Sequence, residues 1–84
     1  MKYFKIVAEN VSDVDTLCEE LELASYTVAN VYRLPVFDSM TQLLISTERL
    51  ITGTAEDIVW DYNCGAFLHT TQLSEEEFYD LVDV

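Results

Sequence analysis

Only four Lys and Arg stand in 84 residues, against sixteen Asp and Glu, for a formal charge of −12 at pH 7. So few cations exclude direct nucleic-acid binding, because gripping phosphates takes a basic stripe. Two Gly cannot build a glycine-rich phosphate loop. Two isolated Cys, Cys18 and Cys64, form neither a CxxC pair nor a disulfide framework. With one Pro besides, punctuation is sparse. No linker, repeat or low-complexity stretch divides the chain, so 1–84 reads as one acidic globular domain. No apolar run approaches the ~20 residues that span a bilayer. The start, Met1 to Val7, lacks the length and cleavage site of a signal peptide, which points to the cytoplasm.

What is present is hydrophobic enough to fold. Half the residues are apolar and 12% are aromatic, too much for a disordered acidic tail. A chain of this size buries roughly 60–65% of the surface its unfolded form exposes, so the core is small.

Lys2 to Glu9 alternates Phe4, Ile6 and Ala8 with Tyr3, Lys5 and Val7, which predicts a strand. Ser12 opens a helix over 13–24, with Asp15 three residues on and Val14, Leu17, Cys18 and Leu21 on its apolar face. Tyr26 to Leu34 is β-rich and stops at Pro35. For the next segment, Asp38 or Ser39 can cap a helix to Thr52, with Gly53 ending it. Met40, Leu43, Leu44, Leu50 and Ile51 then share one side and only Ile45 is out of phase. Leu43-Leu44-Ile45 would also suit a strand. Asp57 to Tyr62 and Ala66 to Thr71, joined at Asn63-Cys64-Gly65, read as a β-hairpin. Ser74 and Glu77 make a capping box before a closing helix with Phe78, Tyr79, Leu81 and Val82 on its apolar side.

The fold class is α+β, a sheet of about four strands packed by two or three helices in the order β-α-β-α-β-β-α. The alternative takes 41–47 as a strand and 55–63 as a helix. It gives a ferredoxin-like β-α-β-β-α-β core plus a C-terminal helix.

The acids fall outside the apolar arcs. In the first helix these are Asp13, Asp15, Glu19, Glu20 and Glu22. Five charges over about 13.5 Å of helix rise is one per ~2.7 Å, close to the ~3.4 Å of a single DNA strand. The last helix carries Glu76, Glu77, Asp80 and Asp83 outward, with Glu75 at the edge. Asp57 and Asp61 share one face of the expected hairpin strand. Helix-start acids complement the dipole by about 0.3–1 kcal/mol each, which accounts for Asp13, Asp15, Glu75 and Glu76 without any partner. It does not account for the missing cations, since i,i+4 Glu–Lys pairs would be stabilising.

Catalytic and cofactor chemistry finds little support. His69 lacks companions at metal-ligand spacing. Cys18, beside Glu19 and Glu20, is a poor thiolate. Cys64 and His69 would pair only if the hairpin aligned them, and no oxyanion loop is visible. The acidic segments lack the order of an EF-hand loop. The expectation is no enzyme activity, no cofactor and no metal. Trp60 is expected in the core beside Ile58 and Tyr62; the helix alternative would set it among Glu56, Asp57 and Asp61.

In size, acidity and lack of catalytic groups the chain resembles, as a class, small phage-encoded inhibitors of restriction or CRISPR systems, several of which imitate DNA. The resemblance implies an anti-restriction or anti-CRISPR inhibitor working in the host cytoplasm. Its acids, Asp13, Asp15, Glu19, Glu20, Glu22, Asp57, Asp61, Glu76 and Asp80, would occupy the basic surface of a nucleic-acid-handling protein, with no membrane contact. The alternative is a protein-interaction or regulatory module, such as a homodimer, anchored by Leu23 or Trp60.

Overall fold

The structure is a computed structural model that describes residues 1–33, 40–48 and 53–83. Among the described residues seven elements follow in order: β1 (Lys2–Glu9), α1 (Val14–Leu23), β2 (Thr27–Arg33), β3 (Met40–Thr47), α2 (Gly53–Tyr62), β4 (Leu68–Leu73) and α3 (Glu75–Val82). The four strands make one antiparallel sheet in the spatial order β2-β3-β1-β4. β1 and β2 therefore run parallel with β3 between them. This is the split β-α-β, ferredoxin-like arrangement, with α3 added.

The sheet has two unequal faces. Phe4, Ile6 and Ala8 of β1 join Leu43 and Ile45 of β3 on one face. Leu17 and Leu21 of α1 and Ala55 and Val59 of α2 close over them, all nearly inaccessible to water. Each such aliphatic side chain contributes about 1.5–3 kcal/mol on burial, so this layer is the main core. Among the described residues, α3 covers the other face. Phe78 packs there on Leu44 and Leu73, with Tyr3, Tyr32, Leu81 and Val82 around it. The Tyr32 hydroxyl donates to the Leu81 carbonyl at 2.8 Å and accepts from the Asn30 side-chain amide at 2.7 Å, tying α3 to β2.

Local sequence explains the helix ends. Asp13, not Ser12, is the N-cap of α1: its carboxylate accepts from the Thr16 amide at 3.1 Å and hydroxyl at 2.8 Å. The helix ends in a Schellman turn. The Tyr26 amide donates to the Leu21 carbonyl and the Ser25 amide to that of Glu22, with Ser25 left-handed at φ 73°. Buried Tyr26 and Leu21 supply the apolar contact that accompanies this motif. The capping box at α3 forms as expected, Ser74 and Glu77 bonding reciprocally at 3.1 Å.

Two expectations are corrected. Residues 40–47 are a strand, not part of a helix over 39–52. β3 lies between β1 and β2, so Leu43 and Ile45 are buried on one face and Leu44 on the other. A strand buried on both faces shows a run instead of alternation, and the run happened to fit a helical wheel. Ile45, the misfit of that wheel, is a core residue. Likewise 57–62 is not a hairpin strand. It belongs to α2, where Ala55 and Val59 are buried at i,i+4 and Ile58 and Tyr62 flank them. The return strand is β4, on the sheet edge beside β1. The expected caps Asp38 and Ser39, the stop at Pro35 and the segment 49–52 lie outside the described residues. Among the described residues no helix is long and apolar enough to cross a membrane.

Candidate functional site: an acidic helical layer

α1 and α2 lie side by side on one face of the sheet, which turns their remaining surfaces outward. Neither helix, nor α3, contains a Lys or Arg. Asp13, Asp15, Glu19, Glu20, Glu22, Asp57 and Asp61 are all exposed on this layer.

Their grouping is set by the helix phase and by one junction. The Ser12 amide and hydroxyl both donate to the Tyr62 carbonyl, at 2.8 and 3.1 Å, so α1 starts where α2 ends. Asp13 and Glu20 then share a side with the α2 terminus. Burial, with the charges of Glu20, Asp13 and Asp61 around it, pushes the Tyr62 hydroxyl above its ordinary pKa. Three acids from two helices thus bear on one phenol. Asp57 lies one turn before Asp61 on α2, while Glu19 shares a side of α1 with Glu22 and Leu23. Asp15 and Glu22 face the opposite flank of α1. There desolvation, then Asp15 and Glu22, raise the pKa of the Cys18 thiol.

Glu76 and Asp80 are separated from all of these. They are exposed on α3, which covers the other sheet face, so the nine acids do not form one surface. Asp13 also has a structural duty as a cap. Its backbone hydrogen bond from Thr16 lowers its pKa, as that from Ser74 does for Glu77.

The helix dipoles distinguish ordinary acids from unusual ones. Asp13, Asp15 and Glu56 stand at helix starts, where negative charge is favourable. Glu20, Glu22 and Asp61 stand near helix ends, where a carboxylate opposes the dipole by about 0.3–1 kcal/mol. Glu20, Glu22 and Asp61 therefore stand against local preference, whereas Asp13, Asp15 and Glu56 follow it.

Trp60 is not in the core. It is 49% exposed on the outer side of α2, between Asp57 and Asp61 in sequence, because Ala55 and Val59 take the inward phase. Its ring edge lies beside the turn at Gly65, which has φ 71° and no side chain. Leu23 is 80% exposed at the end of α1. Glu56, four residues before Trp60, is a surface acid that the strand expectation passed over. The helical spacing from Trp60 was the signal that could have found it.

The catalytic candidates are dispersed. His69 lies on the β4 edge strand, its ring nitrogen 3.2 Å from the Thr71 hydroxyl and its ring stacked 6.2 Å from Phe67. Cys64 is exposed and left-handed in the turn after α2, and both cysteines are free thiols. Among the described residues no three His, Cys, Asp or Glu stand together in a way that could hold a metal ion. No protein-family model, no curated protein and no solved structure matches this chain.

Proposed function

We propose that this chain is a non-enzymatic inhibitor that blocks a nucleic-acid-handling protein by covering its basic surface. The observation that carries this reading is the outer layer of α1 and α2. There the charges of Asp13, Glu20 and Asp61 bear on Tyr62, Asp57 lies one turn before Asp61, Glu19 and Glu22 line the next side of α1, and neither helix carries a cation. Carboxylates would take the places of phosphates opposite Lys and Arg, and complementary charge would speed the encounter. An inhibitor of the anti-restriction or anti-CRISPR kind, acting in a host cytoplasm, fits this chemistry. α3 lies on the far face, so Glu76 and Asp80 contribute long-range field instead of contact.

The test has two steps. Low-salt affinity capture should recover a nucleic-acid-handling protein, and this chain should then release labelled duplex DNA from it. Binding should weaken steeply between 50 and 200 mM salt, as phosphate contacts do. Glu19→Gln, Glu20→Gln and Glu22→Gln together should weaken it further. Captured partners that keep their DNA in the presence of excess protein would overturn the reading.

A second reading is favoured by the exposure of Trp60 and Leu23: a salt-insensitive interaction module, such as a homodimer, anchored by apolar side chains. A dimer that persists at high salt and dissociates on Leu23→Asp would support it over inhibition by charge.

A further inference from the structure

We infer that Trp60 is the seat of a partner's arginine side chain, an inference that rests on the reading above and names the group that meets this surface. An indole left half exposed in a small domain with a limited core is a large apolar surface kept in water. Its surroundings select what covers it. Glu56 and Asp57 precede Trp60 by four and three residues, which on a helix places their Cβ atoms about 5–6 Å from its own. Asp61 follows directly, and α2 has no cation to neutralise any of them.

A cation over the indole would meet the negative face of the ring and the carboxylates together. Arginine suits this seat better than lysine. Its planar guanidinium stacks on an aromatic face, sheds water more readily and offers a fork to a carboxylate. A second copy of this chain fits poorly, because its helices carry no cation and each copy bears −12. A nucleic acid is repelled by the same charge.

The experiment uses the intact protein and fluorescein-labelled octa-arginine and octa-lysine, with anisotropy read at low salt. The protein has one Trp, so its intrinsic fluorescence reports on this side chain directly. Octa-arginine should bind at least about threefold more tightly than octa-lysine and perturb the Trp60 emission. Trp60→Ala should abolish that preference while leaving the salt dependence in place, and Trp60→Phe should retain part of it. Circular dichroism melts confirm that the variants fold. Equal affinities in the native protein, or a preference that survives Trp60→Ala, would overturn the seat while leaving the acidic layer standing. Failure of both peptides to bind would overturn both.

Discussion

The Tyr62 carbonyl, at the end of α2, accepts two hydrogen bonds from Ser12, one from its amide at 2.8 Å and one from its hydroxyl at 3.1 Å. Fifty residues separate the pair. The contact pins the start of α1 to the end of α2 and so brings Asp13 and Glu20 next to Asp61. Ser12→Ala removes only the hydroxyl bond. Urea unfolding should show a loss of about 0.5–1 kcal/mol, the usual net value of such a bond.

Asn63 is buried and organises the turn after α2. Its side-chain amide donates to the carbonyls of Ala66 and Phe67 and its side-chain oxygen accepts from the Gly65 amide. Asn63→Ala takes this partner from the Gly65 amide and the Ala66 carbonyl, while the Phe67 carbonyl keeps the Glu9 amide, and stability should fall by about 1–3 kcal/mol in urea titration.

Ser25 occupies the left-handed position of the Schellman turn, where glycine is the usual residue. Its described bonds use only its backbone, so Ser25→Gly keeps them while relieving the Cβ. A gain of up to about 1 kcal/mol is expected, read as a Tm increase of several degrees.

The Oγ1 atoms of Thr41 and Thr70 are buried with no hydrogen-bond partner. Their side chains point to the helix-covered face, beside Ala8 and Ile6. Replacing a hydroxyl by a methyl of the same shape removes an unpaid desolvation. Thr41→Val should therefore stabilise by about 1 kcal/mol, with Thr70→Val less because its residue is only partly buried. A lower Tm for Thr41→Val would contradict the orphan assignment.

Stability should fall at both ends of the pH scale for identifiable groups. Asp13 and Glu77 have folded pKa values lowered by the Thr16 and Ser74 bonds. Their contribution is full above the ordinary carboxylate range and is lost as pH drops through the lowered values. Asp13→Asn combined with Glu77→Gln should flatten the acid limb of Tm against pH. Tyr3 and Tyr62 have raised values, chiefly from burial. They stabilise fully below about pH 10, and that stability declines as pH rises past it. Tyr62→Phe should reduce the late-titrating component of phenolate absorbance, leaving that of Tyr3.

Legibility followed how local each signal was. β1, α1 and α3 were read correctly because period and caps show in a short window: the second face of β1 is only half-buried and carries Lys5 and Glu9, and one side of each helix is wet. Phe4, Ile6 and Ala8 alternate, Leu17 and Leu21 repeat at i,i+4, and Ser74 and Glu77 close on each other. β3 was misread because both of its faces are covered, which erases the alternation that marks a strand. α2 was misread because Asp57 to Asp61 alternates acid and apolar over a few residues, and only its packing on α1 shows which period wins. Trp60 and Glu56 followed that error, since the face a side chain takes depends on the element that carries it.

By itself, then, the sequence determined the charge excess, its concentration on the first and last helices, the apolar face of α1, the capping box of α3, and the α+β class. These depend on neighbours within a turn or two. Tertiary structure decided that 40–47 inserts between β1 and β2, that α1 and α2 share one face, and that α3 takes the other. A sheet has two sides, and the side each acidic helix covers follows from long-range strand pairing. That pairing is why Asp13, Glu20 and Asp61 meet while Glu76 and Asp80 stand apart.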